Sequence, residues 1–558
     1  MKKFSIIVFL VFIFAVRVFS MPQKGYSPFI SYSPNENSPK VLTYALLDAY
    51  NIKAYFWSSG VFDQNMNLNN AAGLYWPHGS TNTACFTAGL SLACRINGQL
   101  AQSMVSYKGE FSPGCIVNGQ AYTDADFKFY NVKAGDSINT NPDYANWYKM
   151  VPYGAPFKDI NNNGIYDQGI DIPGVPNSSQ TIFICLTDAF SASHNSGEGF
   201  GGGVTSPLMM SEVHFTAFTY SNDNSADVQY LKWEVINKCQ YAWNNTFFSI
   251  VCDPDVGYPF DDFIGCDTAR DLCFAYNSND NDQYYGAHPP AFGITLLRSA
   301  FNNQTGDTLG LTSFTFFTDN SSSPPPCESD PSGEPYSAYL NMTGVKKDST
   351  PFLDPTITSG SRKTKFCYPG DPESNIGWTE SKGSVQNCNG DTSMTNVITT
   401  NPGGDRRFIM STGSYGLTIQ PNEKQIIYAA QMVKRGISYK NSVTVLKLYC
   451  DSIRNIYHNT IGIKKIESAM PEKFYLGQNY PNPFNPVTTI AYDLPINTYV
   501  DIRLYDITGK EIQRLVNERQ TAGTYKITFD ASELPSGIYF YRMTTPTFTE
   551  SKKMVLIK

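Results

Sequence analysis

Charge is scarce in this chain. Asp, Glu, Lys and Arg make up 16% of its 558 residues, against about 25% in an ordinary soluble protein. A solvated disordered chain and a charge-laced coiled coil are therefore excluded, because both depend on abundant charge. The surplus of one sign is small, a net charge of −7, and it is negative. That excludes the basic surface a nucleic-acid binder needs to displace counterions from phosphates. Histidine is scarcer still: His78, His194, His214, His288 and His458 are the whole set, and none stands in H-E-x-x-H. G-x-S-x-G, a Walker loop and C-x-x-C are missing as well. Proteases, esterases, P-loop enzymes and closed zinc clusters thus have no local signature here. Beyond the first 20 residues no apolar run approaches the roughly 20 residues of a membrane-spanning helix, so none is expected in the mature chain.

What the chain has in quantity is 36 Tyr, 36 Phe, 42 Gly and 34 Pro. Aromatic residues favour strands, and Gly and Pro favour turns. Strands are expected at 53–57, 213–220, 228–236, 246–252, 311–317 and within 417–433. In the third, Leu231, Trp233 and Val235 alternate with Lys232 and Glu234, the pattern of a strand with one wet face. A helix is expected only at 441–455. The region 21–471 reads as mainly β, a large sandwich or jelly roll, with a possible subdivision near 319–335.

Residues 1–20 have the three parts of a secretory signal peptide: Lys2 and Lys3, an apolar stretch at 4–16, and small Ser20 at the end. Export bears on the twelve cysteines, all of which fall between Cys85 and Cys450. Oxidising compartments favour disulfides, and Cys85 with Cys94 and Cys266 with Cys273 are the local candidates.

The best chemical motif is Asp159-Ile160-Asn161-Asn162-Asn163-Gly164-Ile165-Tyr166-Asp167. Oxygen donors at Asp159, Asn161, Asn163 and Asp167, with the carbonyl of Ile165 and with Asp171 beyond, fit a calcium loop. Gly164 allows the turn that a hard cation with six or more oxygen ligands requires. The loop resembles those of dockerins and other extracellular calcium repeats. Pro156 and Pro173 exclude EF-hand helices around it, and an Asn-Gly hairpin turn without an ion is the alternative. A second acidic stretch holds Asp253, Asp255, Asp261, Asp262 and Asp267. It is read as Asx-type turns, a second calcium site or a glycosidase carboxylate pair.

The C-terminal 87 residues, 472–558, form a separate unit. Pro481, Pro483 and Pro486 forbid regular structure at its start. Short alternating runs then follow at 488–494, 499–505, 512–516, 524–529, 538–543 and 554–557, the pattern of a small Ig-like β-sandwich. Its pieces include Gln478-Asn479-Tyr480-Pro481-Asn482-Pro483-Phe484-Asn485-Pro486, Gly509-Lys510, Leu534-Pro535-Ser536-Gly537-Ile538-Tyr539, and the tail from Lys552-Lys553 to Lys558. In this order they resemble the type A C-terminal sorting domain of bacterial type IX secretion cargo. The resemblance implies a domain order of signal peptide (1–20), passenger (21–471) and sorting domain (472–558). It also implies periplasmic transit and delivery to the outer-membrane surface or the medium. The partners implied are the secretion machinery, a sortase and surface lipopolysaccharide. The stretch 253–276 with 289–293 resembles uncharacterised passengers of the same system. The passenger is expected to be a non-enzymatic, calcium-stabilised adhesive, matrix or glycan-binding protein, the alternative being a polysaccharide hydrolase with a carboxylate pair.

Overall fold

The computed structural model describes residues 42–68, 71–194, 200, 206–221, 223–318, 325–393, 397–457, 474–479, 481–496, 498–520 and 523–557. The expected leader at 1–20, Tyr480 and Lys558 lie outside them, as does most of the glycine-rich stretch 197–203.

The body is a sandwich of two large antiparallel sheets. The first has ten strands, and its main path runs Ser313–Thr318, Arg406–Gly413, Asn244–Asp253, Thr87–Ile96, Val61–Phe62, Ile52–Trp57, Leu74–Tyr75, Thr83–Cys85. The second has nine and runs Ser112–Pro113, Gln180–Thr187, Ser211–Thr219, Val228–Asn237, Lys424–Lys434, Ala291–Arg298, Leu272–Asn277, Asp262–Asp267. Neighbours in a sheet are often far apart in sequence; Val228–Asn237, for instance, pairs with Lys424–Lys434. One hydrophobic core fills the space between the sheets. Phe56, Leu90 and Phe248 enter it from the first, and Ile184, Phe215, Trp233 and Ile427 from the second. The strands on either side of 319–335 pair with one another, Ser313–Thr318 with Arg406–Gly413, inside the first sheet.

Both outer faces are partly covered by helices. Tyr439–Ile456 lies on the second sheet and buries Val443, Leu446, Cys450 and Ile453, spaced three or four apart, against Phe274, Tyr276 and Met432. The Ser438 hydroxyl accepts from the Asn441 amide and caps its first turn. Gly293 lets the helix approach, because a Cβ there would come within 2.9 Å of Leu446 Cδ2. A shorter helix, Pro335–Thr343, packs Ala338, Tyr339 and Met342 on Phe247, Val251 and Ile409 of the first sheet.

This covering corrects the expected wet face of 228–236. Glu234 is only 5% exposed and is paired with Lys232 and with Lys424, the latter at 2.6 Å. The turn around Gly154 lies over it. Alternation reports which residues face the core, and here both faces are roofed.

The local cysteine pairs are corrected too. Cys327 and Cys388 are joined, with Cα atoms 5.7 Å apart, and the other ten thiols are free and buried. Cys85 lies against Cys252, 3.5 Å away. Cys266 and Cys273 face each other across a strand pair as free thiols.

A carboxyl inside the body makes its stability depend on pH. Asp63 is fully buried and its Oδ1 accepts from Gln431 Nε2 at 3.2 Å. Burial pushes it up to about 8, against the opposing hydrogen bonds of Gln431 and Cys85. Between its unfolded value and about 8 the folded chain keeps a proton that the unfolded chain has released. Stability is therefore complete at acid pH and falls by about 1.4 kcal/mol per unit as pH rises through that window. Asp63→Asn lacks this titration and keeps a side chain that tolerates the residue's left-handed backbone, φ 65°. Its urea midpoint is expected to gain on the parent's steadily from pH 6 to 8; a parallel decline would show that Asp63 is ionised in the fold.

The C-terminal module is a second sandwich with its own core. Three strands (Tyr475–Leu476, Val487–Leu494, Gly523–Asp530) face four (Glu511–Gln520, Thr498–Tyr505, Gly537–Thr544, Thr549–Leu556). Ile490, Val500, Ile502, Tyr541 and Met554 are fully buried between them.

Candidate functional site

The Asp159 loop joins the two short strands Phe157–Lys158 and Ile172–Pro173, which pair antiparallel and hold its ends together. Inside it, Asp159 Oδ2 accepts from the Gly164 amide at 2.7 Å, and Asn163 Oδ1 from the Ile165 amide at 2.8 Å. Asp167 Oδ2 accepts from the side-chain amides of Asn161 and Asn163 at 2.7 and 2.6 Å. Asp171, 1% exposed, closes the loop by accepting from the Ile160 and Asp167 amides at 2.8 and 2.7 Å. Gly164 takes φ 77°, the left-handed conformation this turn requires. Ile165 follows with its side chain in solvent. Hydrogen bonds thus tie Asn161 and Asn163 to Asp167, while Asp159 and Asp171 hold backbone amides of the same loop. Among the described residues none of the three carboxylates makes an ion pair with Lys, Arg or His.

The acidic stretch from Asp253 to Asp267 does not converge as a whole. Asp262 Oδ2 accepts from the Val256 amide at 3.1 Å, Asp261 from Asn277 at 2.8 Å, and Asp267 pairs with Arg270 at 2.8 Å. These carboxylates serve turns and ion pairs. Asp253 and Asp255 instead meet Asp405, with one oxygen of each within 4.8 Å of the others. Tyr107 donates to Asp253, and Arg407 lies 3.4 Å from it and 2.7 Å from Asp405. Burial, then the charges of Asp253 and Asp405, pushes the Asp255 carboxyl well above the usual range. Sequence reading missed Asp405 and Arg407, since no spacing rule links residues some 150 positions apart. Arg407 lies in the strand Arg406–Gly413 that pairs with Asn244–Asp253, and Asp405 just before it.

The loop histidines are engaged locally. His78 Nε2 is 2.5 Å from Asp48. His194 is 4% exposed, within hydrogen-bond reach of the Ser206 carbonyl and 3.7 Å from Glu110. Burial pushes the Glu110 carboxyl up to about 8.

In the C-terminal module the motif pieces from its two ends meet. The Pro481 carbonyl accepts from Thr488 Oγ1 at 2.9 Å. Asn482 Oδ1 accepts from the Val555 amide at 2.9 Å, and Pro483 follows it. Phe484 pairs with the last strand through the Val555 carbonyl and the Ile557 amide, both at 3.0 Å. Gln478 donates to the Lys553 carbonyl at 2.7 Å. Gly537 opens the strand opposite Leu556, and the Tyr539 hydroxyl donates to the Pro535 carbonyl at 2.7 Å. Lys552 pairs with Glu550 at 2.6 Å on the module's surface. The proline-rich start is thus stitched to the final strand, which explains why one signature needs both ends of the unit.

Comparison with known proteins agrees with this arrangement. The family described as the secretion system C-terminal sorting domain matches residues 478–558. No curated protein matches the chain. Among solved structures, a polysaccharide lyase is similar at 6% identity and TM-score 0.17 over 64% of this chain and 36% of its own. PorZ, a surface component of the type-IX secretion system of Porphyromonas gingivalis, is similar at 9% identity and TM-score 0.15 over 93% of this chain and 59% of its own. The chain thus spans about a third of the first of these and less than two thirds of the second. Among the described residues no helix is long and apolar enough to cross a membrane. With the sorting module at its C-terminus, this chain is a type IX secretion cargo protein, secreted or carried at the cell surface.

Proposed function

We propose that the body of this cargo is a non-enzymatic scaffold that acts outside the cell in adhesion, matrix assembly or glycan binding and is stiffened by calcium. The leader carries it to the periplasm, and a sortase exchanges the sorting module for surface lipopolysaccharide or releases the body. The observation that supports calcium is the gathering of Asp159, Asn161, Asn163, Asp167 and Asp171 on one ribbon. A cation would replace the Asn161 and Asn163 amide groups on Asp167, so binding is expected in the weak range of extracellular modules. With the millimolar to tenth-millimolar affinity of extracellular modules, 10 mM calcium adds about 1–3 kcal/mol of stability. Chelation is expected to lower the melting temperature of the full chain by a few degrees, and Asp159→Ala to abolish the difference. Equal melting curves with and without calcium would sink the reading. A glycan array probed with the full chain then tests binding.

One observation favours the second reading, a polysaccharide hydrolase. Burial raises the Asp255 carboxyl above the usual range while Asp253 faces Arg407, the kind of unequal pair an acid and its partner carboxylate require. Against it, Asp253 is already occupied by Tyr107 and Arg407. Polysaccharide cleavage lost in Asp255→Asn would decide for the enzyme.

A further inference from the structure

A cluster of a different chemistry lies on the outer face of the second sheet. Cys185, in Gln180–Thr187, stands directly opposite His214 in Ser211–Thr219. Glu212 is two residues before His214, so its side chain shares the same face. One donor atom from each residue lies within 4.8 Å of the others. All three are buried: Cys185 is fully enclosed, Glu212 is 4% and His214 6% exposed.

The surroundings fix this geometry. Glu212 Oε2 accepts from the Ile116 amide at 2.8 Å, and its Oε1 is 2.9 Å from His214 Nε2. The Cys185 thiol points to the Gly114 carbonyl at 3.2 Å. Cys115, 1% exposed, packs in the same small cluster as Cys185 and Phe127. The Tyr153 ring stands edge-on to the imidazole with centroids 6.4 Å apart. Gly154 lies so close that a Cβ there would come 3.1 Å from His214 Nδ1. That Nδ1 is buried, so Nε2, the nitrogen that faces Glu212 Oε1, is the ring donor available to an ion the two side chains share.

We propose that Cys185, Glu212 and His214 form a binding site for a thiophilic divalent cation of the zinc type, with Cys115, packed beside Cys185 but outside the 4.8 Å group, moving in as the fourth donor. Thiolate, imidazole and carboxylate together select zinc-like ions over calcium and magnesium, which take oxygen alone. Tetrahedral coordination needs donor separations of about 3.5 Å, between the 2.9 Å that now separates Glu212 Oε1 from His214 Nε2 and the 4.8 Å within which all three donors lie. Two thiolates, one carboxylate and a divalent cation leave a single negative charge. Lys238, whose Nζ is 3.7 Å from Glu212 Oε1, offsets it. Burial makes a thiolate costly here without a cation, and coordination removes that cost as the thiol gives up its proton. The bound ion ties two strands to the 114–116 and 153–154 segments, a structural role at a closed site.

The test uses the full chain, stripped with a chelator, reduced, and titrated with cobalt(II) as the spectroscopic stand-in. One equivalent is expected to stay bound through gel filtration and to show a thiolate-to-cobalt charge-transfer band. Excess zinc should bleach that band, and excess calcium should leave it unchanged. Cys185→Ala is expected to lose the band and Cys450→Ala, whose thiol lies under the helix on another part of the sheet, to keep it. Folded parent protein that retains no cobalt would overturn the proposal without reference to any variant. So would a band that survives in Cys185→Ala, or a peptide from unreduced protein linking Cys115 to Cys185. The calcium reading stands or falls separately, because a site made of oxygen donors gives no thiolate band.

Discussion

A chain ending at residue 471 is expected to accumulate in the periplasm, with almost none reaching the cell surface or the medium. Fractionation and immunoblotting against the full chain measure this, and normal delivery of the shortened chain would refute it. The physical basis is the independence of the terminal module. Its strands pair among themselves, and Ile490, Val500, Ile502, Tyr541 and Met554 form a core that, among the described residues, includes none from the body. Removing it costs the body no buried surface that its own core depends on, so the melting transition of the body should persist. Lost delivery with retained folding is what separates an address from a structural domain. Because both ends of the module meet at Asn482 and Val555, trimming only the final strand, Thr549–Leu556, should abolish delivery as completely. That strand also supplies Met554 and Leu556 to the core.

Arg406→Met is expected to destabilise the body by about 3–5 kcal/mol, because it strands a buried carboxylate. Glu380 is fully buried and Arg406 is 7% exposed. Arg406 Nε donates to Glu380 Oε1 at 2.6 Å, and the Ile264 amide donates to Oε2 at 2.7 Å. Arg406 also donates to the Pro402 carbonyl at 2.6 Å. Without the guanidinium, Glu380 must stay charged in an apolar setting or take up a proton, and either costs stability. The double variant Arg406→Met with Glu380→Gln should recover most of the loss, since the glutamine oxygen still accepts from Ile264. The half-exposed pair Lys149–Asp126 is the control: Lys149→Ala is expected to cost less than about 1 kcal/mol. Urea unfolding of each variant reads the effect. A single variant as stable as the parent would show that the ion pair contributes nothing net.

Much of the strand content could be read from the chain. Strands form at Val228–Asn237, Asn244–Asp253 and Ser313–Thr318, where apolar alternation and aromatic content place them. The helix Tyr439–Ile456 extends the expected 441–455 by two residues at the start and one at the end. Both signals are local, since a strand or an amphipathic helix declares its buried face within a few residues. The Asp159 loop was legible for the same reason: its donors lie within a dozen positions and the turn that gathers them is set by Gly164.

Contacts between distant segments were not legible. Cys327 finds Cys388 across 61 residues, while the nearer candidates, Cys85 with Cys94 and Cys266 with Cys273, remain thiols. Asp405 reaches Asp253 only because Arg406–Gly413 is the strand next to Asn244–Asp253. His194 reads as a loop residue and is buried beside Glu110. Lys232 and Glu234 read as solvent-facing, yet Glu234 lies under the Gly154 turn and Lys232 pairs with it.

The order of residues determined that this chain is built of strands and carries an address at its C-terminus. Each of those depends on neighbours in sequence. Which strands sit side by side, which cysteines meet, and which charges are sealed from water were decided only when two sheets closed on a common core. Antiparallel pairing brings residues hundreds of positions apart to within hydrogen-bonding distance, and one-dimensional periodicity carries no record of the partner strand.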